Sequence, residues 1–282
     1  LVAYSSHYEG KLNLPWPCKY FLNSPNSLRI YTRDILTSFD LSNQLKKEVV
    51  FLGNPFIDKL LKNNINHIKD TNNLSNIALL PGSRINELIN NFDLMLDIIQ
   101  KLSNYKFFKK IEFNFALSSD LKIESVHNKL QKRDWQFEKI FSNNFQLLYS
   151  YKSIKVFFKW NSFENILSKS DLAISMSGTA AEQAVGMSKP VIQVEGKGPQ
   201  FTRAFAEAQR RLLGQHVYCF TDYSNKKEQI DGTISLIIKI LYFMRLDNSF
   251  LRSCQDNARN RIGDKDATSK IISDMNKYLI ND

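Results

Sequence analysis

Hydrophobic residues beyond about position 76 fall into short apolar runs separated by longer stretches of mixed polarity. The apolar runs predict buried strands, and apolar residues at helical spacing, such as Leu88, Phe92 and Ile99, predict helices. The predicted strands are Ile77–Leu80, Ile111–Leu117, Phe145–Tyr149, Ile154–Phe158, Asp171–Ser175, Pro190–Val194 and His216–Phe220. The predicted helices are Asn86–Leu102, Leu121–Leu130, Asn161–Lys169, Thr179–Met187, Phe201–Leu212, Lys226–Met244 and Asn248–Ile280, the last broken near Gly263. This alternation predicts an α/β fold with a mostly parallel sheet, because consecutive parallel strands require crossover helices.

The first part of the chain has a different pattern. Two apolar segments, Leu28–Tyr31 and Val49–Leu52, are predicted strands on either side of a short helix, Asp34–Leu45. Pro55 ends the second strand, because proline cannot continue a hydrogen-bonded ladder. The polar, Asn-rich stretch that follows predicts a turn of helix and a linker. The predicted domains are 1–55, a linker at 56–75, a second domain at 76–246, and C-terminal helices at 247–282.

Composition narrows the class of protein. The 20 Phe and 11 Tyr predict a globular core. No apolar stretch approaches the roughly 18 residues that a spanning helix needs. The odd cysteine set, Cys18, Cys219 and Cys254, argues against a disulfide framework and against a zinc site. These features favour a cytoplasmic protein.

A net charge of +10 calls for a negatively charged partner: nucleic acid, anionic lipid or a phosphorylated substrate. The sequence has no helix-turn-helix, RNP pattern or arginine-rich arm, so no nucleic acid is expected. A nucleic-acid binder stays as an alternative that steep salt dependence of binding to DNA would favour.

The first turn with chemical potential is Pro81-Gly82-Ser83-Arg84, which directly follows a predicted strand. Gly82 lets the backbone approach a ligand, Ser83 offers a hydroxyl and a helix cap, and Arg84 offers a fork for phosphate oxygens. The alternative is an ordinary capped turn with a solvated arginine.

The second turn opens a predicted helix with Ser177, Gly178, Thr179 and Ala180. Free amides and the helix dipole make such a helix start suited to anions. Glu182 follows one helical turn later, where a carboxylate can accept hydrogen bonds from both hydroxyls of a ribose. The alternative is a capping box between Thr179 and Glu182, which has the same spacing.

A third loop, Val194–Gln200, follows the next predicted strand. Lys197, Gly198 and Gln200 suit contact with a sugar or a phosphate, and the alternative is a flexible surface loop. Because ligands bind at the carboxyl ends of parallel strands, three such loops in succession favour one ligand site. The histidines have no metal spacing, and the sequence lacks the G-x-G-x-x-G, P-loop and G-x-S-x-G motifs.

These motifs resemble those of the lipid-A-disaccharide synthase family, in particular its divergent "related" branch of cyanobacterial type. The segments that carry the resemblance are Gly53-Asn54-Pro55, Leu80–Arg84 with Glu87, Ser177–Ala180 with Glu182, Lys189–Ile192, Gly196–Thr202, Ala204–Gln209, Arg211–Gly214 and Arg259–Gly263. The resemblance implies the GT-B architecture, in which two Rossmann-like domains face a cleft. It also implies that 1–55 is the end of an acceptor domain whose N-terminal part is absent, that 76–246 binds the nucleotide sugar, and that the last helices cross back.

The implied reaction is transfer of an acylated glucosamine from UDP to a lipid-linked glucosamine phosphate, with inversion and without a metal or other cofactor. By resemblance, Arg84 and the amides of Gly178–Ala180 stabilise the leaving diphosphate, Glu182 holds the ribose, and Gln200 touches the donor sugar or its phosphate. The general base is expected in the absent N-terminal part, so this chain is expected to bind the donor without turning it over. The expected partners are a UDP-sugar, a lipid-linked acceptor and, peripherally, an anionic inner membrane. A UDP-sugar epimerase and a non-catalytic nucleotide-sugar-binding relative are the alternatives.

Overall fold

A large sheet forms the centre of the molecule in a computed structural model that describes residues 14–62, 76–141, 146–196 and 202–279. Its eight strands are β3 (Asn76–Leu80), β4 (Glu112–Leu117), β5 (Gln136–Phe141), β6 (Gln146–Tyr151), β7 (Ile154–Trp160), β8 (Leu172–Ser175), β9 (Val191–Gln193) and β10 (Val217–Cys219). Their order is β10-β9-β8-β3-β4-β7-β6-β5. From β10 to β7 all neighbours are parallel, and β6 and β5 extend the sheet in antiparallel pairing.

Helices cover both faces of this sheet. They are α4 (Ile85–Leu102), α5 (Ile123–Gln131), α6 (Phe163–Lys169), α7 (Gly178–Gly186), α8 (Arg203–Leu213), α9 (Lys226–Leu246), α10 (Asn248–Arg261) and α11 (Ala267–Leu279). Alternate residues of β3 enter different cores: Ile77 and Leu79 pack in one cluster, and Ala78 and Leu80 in another. A strand buried on both faces is apolar throughout, which explains the continuous apolar run of β3. Within the described part of the chain, no helix is both long enough and apolar enough to span a membrane.

A second, small sheet precedes the large one. It pairs β1 (Ile30–Tyr31) with β2 (Val49–Val50) in parallel. The other elements of this part are α1 (Trp16–Asn23), α2 (Ile35–Leu45), the 3₁₀ turn Pro55–Ile57 and α3 (Asp58–Lys62). Its core is limited to Ile30, Leu41, Leu45 and Val49, with a few partly buried neighbours.

The chain crosses from the small sheet to the large sheet at Gly53 and crosses back at Gly263, and the two crossing segments lie against each other. A side-chain carbon added to Gly263 would lie 2.5 Å from the Cα atom of Gly53. Beyond this crossing, the Asp58 carboxylate accepts hydrogen bonds from the backbone N–H groups of Ala267 (2.9 Å) and Thr268 (2.7 Å) at the start of α11. Further along α11, Asp274 pairs with Arg29 at 2.9 Å. The C-terminal helix therefore contacts the first part of the chain, while the domain boundaries themselves stay a prediction.

The predicted α/β fold with a mostly parallel sheet is confirmed, and the predicted strands and helices from β3 onwards are present with small shifts at their ends. Four elements of the described part of the chain were not predicted: α1, the 3₁₀ turns Pro55–Ile57 and Lys106–Lys110, and β5. Five of the six residues of β5 are exposed, so its sequence lacks the apolar signal of a buried strand. Its pairing with β6 defines it as a strand.

Candidate functional site

The first two predicted turns meet at the same edge of the large sheet. Strands β3 and β8 are parallel neighbours with Leu80 opposite Ser175, and the Met176 N–H donates to the Leu80 carbonyl at 2.9 Å. A side-chain carbon placed on Gly82 would lie 3.9 Å from both the Met176 carbonyl oxygen and Ser177 Cβ. The Gly82 and Ser177 turns therefore lie side by side, as a shared ligand site requires.

The first turn begins with Gly82 in a left-handed conformation (φ 101°), which favours glycine. Ser83 and Arg84 are exposed beyond it. The expectation that Ser83 caps the helix is wrong, because the N-cap position is occupied by Arg84, whose side chain does not bond to the helix start. Asn91 is fully buried on α4, and its Nδ2 donates to the Pro81 carbonyl at 2.8 Å. This bond fixes the turn against its own helix.

The second turn places Ser177 at the N-cap of α7, again without a side-chain cap hydrogen bond. The Ser175 hydroxyl instead fixes the turn, since it donates to the Ser177 carbonyl at 2.9 Å and accepts from the Ser177 N–H at 3.2 Å. Helix α8 approaches this turn closely: a side-chain carbon on Gly178 would lie 3.0 Å from Phe205 Cζ. Both α4 and α7 thus start at this edge without a cap from their own N-cap side chains, which suits an anionic ligand.

Glu182 lies one turn into α7 and contacts the first part of the chain. Its Oε1 atom is 2.6 Å from Arg33 Nη2 and accepts a hydrogen bond from Asn54 Nδ2 at 3.0 Å. The capping box between Thr179 and Glu182 is absent, because the N-cap is Ser177 and Thr179 lies inside the helix. The carboxylate is thereby held at the junction of the two sheets.

The third turn lies beside the second, because β9 is the next strand and the Val194 N–H donates to the Ser175 carbonyl at 3.3 Å. Of this loop, Glu195 and Gly196 are described, whereas the predicted site residues Lys197, Gly198 and Gln200 lie outside the described residues. The Tyr223 hydroxyl donates to Glu195 Oε2. Burial, together with the Glu195 carboxylate, raises the pKa of Tyr223, which keeps this hydroxyl a donor.

Sequence reasoning missed several residues of this region. Arg33 and Asn54 reach Glu182 from 149 and 128 positions away in the chain, and no local pattern marks such a contact. Gln193 and Tyr223 were also missed. The position of Glu195, directly after a buried strand and before a glycine, was the one available signal, since it begins the third turn.

Comparison with known families shows to which family the chain belongs. A family model described as lipid-A-disaccharide synthetase matches residues 41–195, which is more than half of the chain. The chain belongs to the lipid-A-disaccharide synthetase family. The matched range contains the first two turns of the site, Glu182 and the start of the third turn. No curated protein sequence matches the chain.

Solved structures with a similar fold extend the comparison. A UDP-GlcNAc 2-epimerase from Neisseria meningitidis, bound to UDP-GlcNAc, is 17% identical to the present chain with a TM-score of 0.55. The match covers 93% of the present chain and 65% of the epimerase. A Listeria monocytogenes protein described as a UDP-N-acetylglucosamine 2-epimerase is 16% identical with a TM-score of 0.55, over 91% and 61% of the two chains. S. aureus MnaA, in a co-structure with UDP, is 18% identical with a TM-score of 0.50, over 88% and 60%.

At these identities the likeness concerns the fold alone, and it confirms the predicted GT-B type of α/β architecture. The chain spans about three fifths of the length of these proteins, 61% and 60% for the Listeria and S. aureus chains.

Proposed function

We propose that the edge formed by the Gly82 and Ser177 turns binds the diphosphate of a UDP-sugar. We further propose that the whole protein is a glycosyltransferase of the lipid-A-disaccharide synthase type. It transfers an acylated glucosamine from UDP to a lipid-linked glucosamine phosphate and releases UDP. The observation that carries the proposal is the contact between two turns that open helices on neighbouring parallel strands, in a chain that belongs to this family.

The chemistry rests on charge. The leaving group is a diphosphate, so the barrier falls when positive potential meets the charge that develops on it. The N-termini of α4 and α7 supply partial positive charge and free amides, those of α7 coming from Gly178, Thr179 and Ala180. Arg84, exposed at the start of α4, adds a full charge with fork geometry for phosphate oxygens. These groups act without a metal in this proposal.

Glu182 is assigned to the ribose. Both of its described contacts, from Arg33 and Asn54, end on Oε1. The proposal gives Oε2 to the ribose hydroxyls. The carboxylate lies one helical turn beyond the amides assigned to the diphosphate, a separation that matches a nucleoside diphosphate laid along the start of α7.

Calorimetric titration of the chain with UDP and with UDP-N-acetylglucosamine tests the proposal. Arg84→Ala is expected to weaken both ligands by about tenfold or more, because a charge-assisted hydrogen bond contributes about 1.5–3 kcal/mol. A further titration compares UDP with 2′-deoxy-UDP. Because Glu182 is assigned to the ribose hydroxyls, Glu182→Gln is expected to reduce the difference in affinity between these two ligands.

The matched control is Arg245→Ala. Arg245 is also exposed, but it lies at the far end of α9, where its guanidinium stacks on Phe107 at 4.4 Å. This control should leave both affinities unchanged. Absence of binding by the wild-type chain, or equal binding by Arg84→Ala, would contradict the proposal. Analysis of the products formed by the whole protein, with lipid acceptors present, then separates a transferase from a UDP-sugar epimerase.

A further inference from the structure

A small cavity lies between the carboxyl ends of β8 and β9 and helix α8. Its volume is about 10 Å³, and its walls include Ser177, Gln193, Glu195 and Phe205. We call this cavity the acceptor pocket, because hydrogen-bond acceptors lie in its walls; the name does not refer to the lipid-linked acceptor substrate. Ser177 belongs to the turn assigned to the diphosphate, so the pocket adjoins that site directly.

Two of the residues that line the pocket each carry a buried acceptor oxygen without a hydrogen-bond partner among the described residues. Gln193 is 5% exposed, and its Oε1 atom is buried without a hydrogen-bond partner. Glu195 Oε1 is likewise buried without a partner. Leaving such an acceptor unpaired costs about 1–3 kcal/mol, and more when the group is charged. Two of them beside one cavity indicate that a group outside the described residues donates hydrogen bonds there.

The Glu195 carboxylate is held in a fixed position. The Tyr223 hydroxyl donates to its other oxygen, Oε2, and Gln229 Nε2 donates to the Glu195 backbone carbonyl at 2.7 Å. Gln229 is itself buried and lies 3.3 Å from the Tyr223 hydroxyl. Because both neighbours are anchored, Oε1 stays an acceptor at the pocket and does not turn towards solvent.

We propose that the acceptor pocket binds a hydrogen-bond-donating group of the nucleotide sugar, an O–H of the sugar or the imide N–H of the base, through Glu195 Oε1 and Gln193 Oε1. This inference rests on the proposed function. The site then has two ends of opposite character: amides and Arg84 face the phosphates, and the acceptor pocket faces the part of the ligand that donates. A ligand edge that only accepts hydrogen bonds is rejected, because two buried acceptors would face it unpaired.

The test is a titration of wild type and Glu195→Gln with UDP-N-acetylglucosamine and with UDP. Glutamine keeps the size of the side chain, removes its charge and replaces one of its two acceptor oxygens by an amide NH2 group, which donates. UDP-N-acetylglucosamine is expected to bind about tenfold more weakly or worse, as for the loss of a charge-assisted bond. Unchanged UDP affinity in the variant places the donor on the sugar. An equal loss for both ligands identifies the base, and the affinity for UDP methylated at the imide nitrogen is then insensitive to the substitution.

Equal affinities of wild type and Glu195→Gln for both ligands would overturn the inference and leave the pocket to a bound water, which a volume of this size fits. Arg84→Ala distinguishes failure of this inference from failure of the proposed function, because this variant still binds both ligands more weakly if only the inference fails. If the wild-type chain binds neither ligand, both fail. A purely structural role predicts a lower melting temperature with unchanged affinity, so thermal unfolding accompanies each titration. Gln193→Met, similar in size and without the acceptor, is the second variant and should weaken UDP-N-acetylglucosamine several-fold.

Discussion

The two ends of the large sheet are built differently. At the parallel end, β3, β8, β9 and β10 contain five, four, three and three residues. At the other end, β5, β6 and β7 contain six, six and seven residues. Of the buried polar side-chain atoms that lack a hydrogen-bond partner in the described part of the chain, four lie beside the parallel end, on Asn91, Gln193, Glu195 and Gln209, and Trp135 Nε1 lies at the other end. The other end holds an aromatic cluster around Phe158, with Phe115 stacked at 5.0 Å and Tyr149 at 5.8 Å.

This difference separates stability from binding. Short parallel strands bring several turns to one edge, where uncapped helix starts and unpaired acceptors leave polar groups for a ligand. Long paired strands with a dense aromatic core contribute stability and leave few polar groups unpaired. Substitutions at one end should therefore change the free energy of unfolding, and substitutions at the other should mainly change nucleotide affinity.

The largest expected effect is at the aromatic end. Phe158→Ala should lower the free energy of unfolding by about 3–5 kcal/mol, because it opens a cavity among rings that are fully buried. Urea unfolding measures the loss, and UDP affinity should be unchanged wherever the variant is folded. Tyr242→Ala, at a ring that is 60% exposed, is the control and should cost less than about 0.5 kcal/mol. A change in UDP affinity in folded Phe158→Ala would contradict the separation of stability and binding between the two ends of the sheet.

A smaller effect on stability, with a clear effect on binding, is expected at Gly82. A methyl group there would make only ordinary van der Waals contacts, since its nearest neighbours would be at 3.9 Å, but the backbone φ of 101° is unfavourable for alanine. Gly82→Ala should therefore cost about 1–2 kcal/mol of stability through strain alone and weaken UDP binding by displacing the turn. Ser83→Ala, at the exposed neighbouring position, should leave the urea midpoint unchanged. Unaltered UDP affinity in Gly82→Ala would show that the shape of this turn is irrelevant to the ligand.

The smallest expected effect is a pH dependence at the parallel edge. His216, next to β10, is 6% exposed, and burial lowers its pKa below the ordinary 6.5. The unfolded chain then takes up a proton more readily than the folded one, so stability is full above about pH 6.5 and falls as the pH drops towards the folded-state pKa. His216→Gln should remove this part of the pH dependence, as urea unfolding between pH 8 and pH 5 would measure. An identical slope in both proteins would contradict it.

The sequence predicted the parallel end better than the other. Strands β3, β8 and β9 are mostly apolar because helices cover both faces, and the turns after β3 and β8 combine glycine with hydroxyl residues. Strand β5 escaped prediction because it is an exposed edge strand, defined by pairing with β6 more than by its own residues. Helix α1 escaped because none of its residues is buried, so it lacks an apolar stripe facing a core.

Within the site, local pattern located the turns but not their partners. The positions of Gly82, Ser177 and Gly178 follow from where strands end and helices begin. The Arg33–Glu182 pair and the Tyr223–Glu195 bond join residues far apart in sequence, and their geometry depends on the packing of whole elements. The capping of α4 was wrong for a related reason: the turn extends one residue further than the position of Ser83 implies, so Arg84 takes the N-cap.

The crossing of the two chain passages limits which residues the protein can accept there. With only 2.5 Å between the Cα atom of Gly53 and a methyl group on residue 263, neither passage can widen without pushing the other away. Ala267 Cβ, 3.0 Å from where a methyl group on residue 53 would sit, closes the remaining side. The smallest amino acid at position 53 is thus dictated by Gly263 and Ala267, which lie far along the chain from it.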